Sequence, residues 1–301
     1  MCKLVDVSYA RKVKQLFGNS KRGRWLHYAE SRVQSYLQRE PEGVRAGLLD
    51  GEIVGFSVSR SFGCLGWFHT LAVHPSQQGE GLGRQVVQDA QDYLAGRGVS
   101  TIGLMTWPTA LANIGFYQSL GYRVAGLSVH AYRRSHIALI TGRSPFDVVV
   151  LSTLWGNTRV AALDAIRELC NEMLPGLDYT PWLIWAVKQR IGDVMLFGHQ
   201  DRLVGLALCY TAHRSDWLEG KLLLIHPDLD DAERLWILEH LRKWSARQHR
   251  GSFGFPIDLM RADSAALFQQ NDFRLFHDSM LDMITGEPWP APGVHLLRFS
   301  G

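Results

Sequence analysis

The segment Leu71-Ala72-Val73-His74-Pro75-Ser76-Gln77-Gln78-Gly79-Glu80-Gly81-Leu82-Gly83-Arg84 joins an apolar strand to a helix through three glycines in five residues. Glycine lets the backbone approach a ligand closely and adopt conformations closed to other residues. The first amides of the following helix have no intrahelical acceptor, and the positive end of the helix dipole lies behind them. Such a strand, loop and helix form a cradle for a pyrophosphate, with Arg84 as a cation beside it. Two other phosphate loops are excluded. The Walker pattern needs Gly-Lys-Ser/Thr, and here Gly83 is followed by Arg84-Gln85. The dinucleotide fingerprint needs a third glycine where Arg84 stands.

Outward from this loop the chain reads as two copies of one unit. Gly51–Val58 answers to Asp201–Leu208, Ala72-Val73-His74-Pro75 to Leu224-Ile225-His226-Pro227, and Phe116–Arg123 to Leu267–Arg274. Three matches in one order at an offset near 150 residues identify a duplication. In the first copy, apolar spacing predicts helices over Val7–Phe17, Trp25–Gln38, Gly83–Leu94 and Ala110–Leu120. Strands are predicted over Gly43–Leu49 and Ile53–Arg60, joined at Asp50-Gly51, then Trp67–Val73, Thr101–Thr106, Arg123–His130 and Ser135–Ile140. The second copy repeats the pattern: helices near Arg159–Met173, Trp182–Ile191, Asp231–Arg247 and Asp263–Gln269, strands near Val194–Phe197, Leu203–Tyr210, Lys221–Ile225 and Ser252–Leu259. Thr141–Pro145 is the expected joint, giving domains over 1–143 and 144–301.

The loop matches Gln/Arg-x-x-Gly-x-Gly/Ala through Gln78, Gly81 and Gly83, after a strand ending Leu-x-Val-x-Pro. About 35 residues further on stands Asn113-Ile114-Gly115-Phe116-Tyr117-Gln118-Ser119-Leu120-Gly121-Tyr122. Together these resemble the coenzyme A loop and the Asn-x-x-x-Tyr helix of the GCN5-related N-acetyltransferases (GNAT). The resemblance covers roughly residues 3–142 and, in degraded form, the rest. It implies an α/β (α+β) fold of two tandem GNAT-like domains, each a mixed, mostly antiparallel central sheet flanked by helices. It also implies acetyl-CoA as cosubstrate, no metal, and direct acetyl transfer to a primary amine in a ternary complex.

Residue roles follow from the resemblance. The strand before the loop splays from its neighbour, and pantetheine lies in the gap, contacting the strand at Leu71, Ala72 and Val73, with Leu71 and Val73 supplying backbone groups. Gln78, Gly79, Glu80, Gly81, Leu82, Gly83 and Arg84 hold the pyrophosphate, mainly through amides. Asn113 contacts the pantetheine or adenosine end; its other reading is a helix cap or a solvated polar residue. Tyr117 protonates the departing thiolate, unless it is a core tyrosine. For the base, His69 is favoured over water. Strand alternation puts it on one face with Leu71 and Val73, and an imidazole titrates in the useful range. The run from His69 to His74 resembles the strand of the serotonin N-acetyltransferase branch that bears catalytic histidines. A structural His69 is the alternative, and His74 is read as structural. Trp25, His27, Tyr28, Trp67 and Trp107 are candidates to line the acceptor pocket.

In the second copy the loop reads Asp228-Leu229-Asp230-Asp231-Ala232-Glu233, without glycine and with four acids. Phe268 stands where the first copy has Tyr117. Coulomb repulsion opposes a pyrophosphate there, so this half is expected to be inert and to cover the first domain or serve a homodimer. Charge divides the same way: 17 Lys+Arg against 9 Asp+Glu up to Arg143, and 15 against 20 after it, within a total of +3. Basic residues are not gathered in one run or interleaved with aromatics, so nucleic acid is not expected. Apolar runs are far shorter than a membrane span. The early Asp6 and four scattered cysteines (Cys2, Cys64, Cys170, Cys209) lead us to expect a reduced cytoplasm. The expected acceptor is a small-molecule amine or a peptide. The competing expectations are a protein that senses acetyl-CoA without turnover and a transferase of longer acyl chains.

Overall fold

A computed structural model describes residues 2–4, 36–212, 216–276, 279–287 and 294–297. The helices expected over Val7–Phe17 and Trp25–Gln38 lie outside these, apart from a helical turn at 36–39, as do Trp25, His27 and Tyr28. The chain forms two compact units. The first contains Met1–Met105, Phe116–Tyr122 and Ile284–Pro288; the second contains Thr106–Gly115, Arg123–Met283 and Trp289–Gly301. Each unit thus includes a segment from the other half of the sequence.

The first unit is built on β1 (Cys2–Leu4), β2 (Val44–Leu49), β3 (Glu52–Phe62), β4 (Leu65–Val73) and β5 (Thr101–Thr106), in that order. All neighbours are antiparallel except β4 and β5, which run parallel. Asp50 and Gly51 take φ of +50° and +81°, the two left-handed residues that a tight Asp-Gly hairpin needs. Helix α1 (Leu82–Ala95) buries Val86, Val87, Ala90 and Leu94 completely, at the spacing of one helical face. Gly66 lets it sit close to the sheet: a Cβ there would lie 2.8 Å from Val99 and 3.0 Å from Leu94. On the opposite face, Tyr36 and Leu37 pack with Val44, Ala46, Phe56, Val58 and Ala72. Helix α2 (Leu111–Gln118) gives its last residues, from Phe116, to this unit.

The second unit repeats the plan. Its strands are β6 (Arg123–Arg134), β7 (Asp147–Val150), β8 (Gly192–His199), β9 (Arg202–Tyr210), β10 (Trp217–Ile225) and β11 (Ser252–Asp258), ordered β6-β11-β10-β9-β8-β7. Only β10 and β11 are parallel within this order. Helices α3 (Gly156–Met173), α4 (Thr180–Lys188), α5 (Asp231–Arg247) and α6 (Ala262–Gln269) accompany them. Three further strands are described: β12 (Arg274–Leu275), which pairs with β6, β14 (Val294–Leu297), which pairs with β10, and β13 (Met280–Gly286), whose residues from Ile284 belong to the first unit.

Backbone detail bears out the duplication. Gln200 and Asp201 repeat the two positive φ angles of Asp50 and Gly51, at +49° and +62°. The amide of His226 donates to Val204 O at 2.8 Å, as that of His74 does to Val54 O at 2.8 Å. Gly121 and Asp272 close the short helices with φ of +86° and +55°. One sequence expectation fails: Ser135–Ile140 is not a strand. Its amide at Leu139 donates to the buried carboxylate of Glu239 at 3.0 Å, and Ser135 Oγ meets Ser245 Oγ at 2.8 Å. Ser135 N donates to Gly251 O at 2.8 Å, while Arg242 and Arg133 donate to the carbonyls of Ser135 and Ala138, so this backbone is satisfied without a strand ladder.

Candidate functional site

The glycine loop after β4 has the conformation that its glycines permit. His74 starts it, its Nδ1 accepting from the amide of Ser76 at 3.2 Å, so this histidine caps the short turn Pro75–Gln77. Gly79 and Gly81 have φ of +91° and +80°, and a Cβ on either would meet nothing within 4 Å. Gly81 is the N-cap of α1. The amides of Arg84 and Gln85 turn back to Gly81 O at 3.1 and 3.2 Å, and that of Gln78 to Pro75 O at 3.4 Å. Among the described residues no acceptor takes the amides of Gly79, Glu80, Gly81, Leu82 or Gly83. Unused amides at a helix start are the groups that an anion such as a pyrophosphate would take up. The Arg84 guanidinium is anchored on Ser119, at 3.1 Å to Oγ and 3.4 Å to the carbonyl. Gly83 faces Phe116, whose ring a Cβ would approach to 3.5 Å.

Beside the loop, β4 parts from β5. The two pair only from Leu65↔Thr101 to Phe68↔Leu104. Beyond that, β4 pairs with β3 alone, through Thr70↔Val58 to Val73↔Gly55. Antiparallel residues alternate between facing the partner strand and facing away. Since the His74 amide reaches β3, Ala72 faces β3 too, while the backbone groups of Leu71 and Val73 face the gap. Val73 O already accepts from Gln78 Nε2 at 3.1 Å, a contact that ties loop to strand and that sequence patterning does not reveal.

The parting begins at a bulge. Phe68 pairs with Ser59 and Thr70 with Val58, which leaves His69 as the extra residue. This corrects the alternation argument: a bulge reverses the face. His69 lies with its ring 5.8 Å from that of Tyr36, which packs with Ala72 and Val58 on the face away from α1. Val73, in contrast, faces Gly83 on α1. Arg60 lies over the same Tyr36 ring at 5.0 Å. Tyr117 is half-buried among Phe68, Phe116 and Tyr122, with ring centroids at 6.4, 5.2 and 5.7 Å. Its hydroxyl has no hydrogen-bond partner among the described residues. Burial, and secondarily Tyr122, pushes its phenol well above the usual tyrosine value, so it holds its proton. Trp67 is buried with its ring against Gly103, where a Cβ would fall 2.2 Å from it. Asn113 and Trp107 belong to the second unit; Asn113 is exposed, its amide donating to Ala110 O at 2.9 Å.

Residues 10–122 match the acetyltransferase (GNAT) family. This part of the chain is a GNAT-family domain. The [ribosomal protein bS18]-alanine N-acetyltransferase of Escherichia coli (strain K12) is 28% identical over 103 residues, 34% of this chain. The chain spans 65% of that enzyme's length, under two thirds. A putative acetyltransferase from Pyrococcus horikoshii shares the fold at 16% identity, with TM-score 0.63 over 95% of this chain and 89% of that one. A tandem GNAT protein from the clavulanic acid biosynthesis pathway does so at 11% identity, with TM-score 0.57 over 97% of this chain and 100% of that one. The expected tandem α/β architecture is therefore the observed one.

The second GNAT-like copy has a different loop. Asp230 caps α5 in a reciprocal capping box, accepting from Glu233 N at 2.8 Å while Glu233 Oε2 accepts from Asp230 N at 3.0 Å. The helix start that would face a pyrophosphate is thus closed by its own carboxylates. Phe268 is fully buried against Phe273 at 4.7 Å. Among the described residues no helix is long and apolar enough to cross a membrane.

Proposed function

We propose that the chain is an acetyl-CoA-dependent N-acetyltransferase whose activity resides in the domain over residues 1–143, with residues 144–301 inert. The open edge of β4 from Leu71 to Val73, leading into five unused loop amides, carries this reading. Pantetheine amides would pair with the backbone of Leu71 and Val73 beside Ala72, and the pyrophosphate would sit on the amides from Gly79 to Gly83. Gln78 and Arg84 hold that loop to Val73 and Ser119.

In the reaction the acceptor nitrogen attacks the thioester carbonyl, the C–S bond breaks, and the nitrogen loses a proton. His69, at the bulge where the strands part, takes that proton directly or through water. A backbone amide of the splayed strand stabilises the oxyanion. Tyr117, kept protonated by burial, gives its proton to the leaving thiolate. The E. coli relative acetylates an alanine of ribosomal protein bS18, so peptide N-termini stand beside small primary amines as the acceptor class to screen. The compartment we propose is the cytoplasm.

Calorimetric titration of acetyl-CoA into the full chain tests this, beside the variant Gly81→Val/Gly83→Val. One site per chain, lost in the variant, is the expected result. Two sites would overturn the inert second domain, and no binding would overturn the whole reading.

A further inference from the structure

The same parting of strands occurs in the second copy, and there the gap is filled. β10 pairs with β11 only from Trp217↔Ser252 to Glu219↔Gly254, then bulges at Lys221, the counterpart of His69. From Leu222 to Ile225 the edge that β11 has left pairs antiparallel with β14: Leu222↔Leu297, Leu223↔Leu296, Leu224↔His295, Ile225↔Val294. By the repeat, Leu223 and Ile225 correspond to Leu71 and Val73, the residues whose backbone faces an open gap in the first unit.

We propose that β14 is a built-in occupant of the second copy's ligand slot, a strand donated in cis that closes this copy to coenzyme A independently of the acidic loop. The proposal rests on reading the β4 edge as the pantetheine slot. Strand addition to an exposed sheet edge is a general recognition mode: backbone hydrogen bonds give affinity, and alternate side chains give specificity. β14 has both. Val294, His295 and Leu296 are buried, and His295 Nε2 is 2.8 Å from the hydroxyl of fully buried Tyr179. Why only one copy is plugged follows from chain order. At the repeat offset, Val294–Leu297 corresponds to residues 142–145, which the first copy spends as the connection to β7. The second copy's corresponding segment instead returns to its own sheet.

Hydrogen exchange on the full chain, with and without coenzyme A, tests this. In the free protein, amides of 222–225 should exchange at least ~100-fold more slowly than those of 71–73, and coenzyme A should leave them unchanged. Equal rates, or protection gained by 222–225 on adding coenzyme A, would overturn the proposal. Protection gained at 71–73 checks the slot reading separately: its absence would sink that reading while slow exchange at 222–225 still reported the plugged edge. Leu296→Pro, which removes one strand amide, should speed exchange at 222–225 by ~10-fold or more with 194–197 still protected. A synthetic peptide of residues 290–301 should restore the protection. Unchanged exchange at 222–225 in this variant would show that β14 does not close the edge.

Discussion

Replacing Gly81 by alanine isolates what the loop backbone contributes. Gly81 has φ +80° and ψ −4° at the N-cap of α1, and an added Cβ meets nothing within 4 Å. No clash enters, so the whole effect is conformational: an L-residue held in the left-handed region costs about 1–2 kcal/mol. That cost has two places to appear. If the alanine keeps the conformation, the free protein loses the full amount, which lowers Tm by about 2–8 °C for a domain of this size. If the backbone rotates away, stability is spared, but the leading amides turn from the ligand and must be brought back on binding. Affinity for acetyl-CoA then falls about 5–30-fold. The two losses sum to the same 1–2 kcal/mol, so calorimetry and thermal melts must be run on the same samples. Gly83→Ala is the control. Its φ is not left-handed, and its Cβ would make an ordinary 3.5 Å contact with Phe116, so stability should hold or rise by up to about 1 kcal/mol. A Gly81→Ala protein with unchanged Tm and unchanged affinity would refute the assignment of Gly81 to a strained cradle.

Tyr117→Phe should lower kcat by about 10²–10⁴-fold with little change in cofactor KM, because only the proton donor is removed. Burial holds the phenol above its ordinary value, so its proton is present through neutral pH and lost only when strongly alkaline; the parent should show no acid-group decline near pH 10 that the variant lacks. An unchanged kcat in Tyr117→Phe would overturn its role as the proton donor. His295, fully buried, is depressed from about 6.5 to about 3, so its contribution to stability is complete above pH 6.5 and is lost as pH falls towards 3. Acid titration should therefore destabilise the second unit by about 1.4 kcal/mol per pH unit in that window, a slope that His295→Gln should flatten in denaturant melts at pH 4, 5 and 6. Burial also raises the thiols of Cys170, to about 12, and of Cys209, and less strongly that of half-exposed Cys64. A thiol reagent added to the native protein should modify Cys64 well before Cys170 and Cys209, and equal rates would contradict their burial.

What the sequence made legible follows the reach of each signal. Asp50-Gly51 and the glycines of the loop are local demands on φ, and they fold as read, because no distant contact can relieve a steric restriction at one residue. Helical faces such as Val86, Val87, Ala90 and Leu94 were equally plain, since burial follows their spacing. The alternation rule failed at His69 because a bulge is a register event between two strands. Nothing in Phe68-His69-Thr70 marks it, whereas its repetition at Lys221 shows that it belongs to the fold. Tertiary partners were hidden for the same reason: Gln78 on Val73, Ser119 under Arg84, and Tyr36 beside His69 join residues with no common local pattern.

β14 was the least legible element and bears most on function. Val294-His295-Leu296-Leu297 is too short to show a period, and Pro288-Trp289-Pro290-Ala291-Pro292-Gly293 before it reads as loop. Its meaning emerges only when equivalent strands are compared, because one copy's edge is open and the other's is paired. The two losses in the second copy are of different physical kinds. Acids at a helix start act through charge and would weaken with salt. A donated strand with buried side chains excludes a ligand at any ionic strength. If charge alone kept coenzyme A out, raising salt would uncover a second weak site in the calorimetric titration. With the edge occupied, stoichiometry stays at one per chain from low to high salt, and a second site appearing at high salt would assign the exclusion to the loop acids instead.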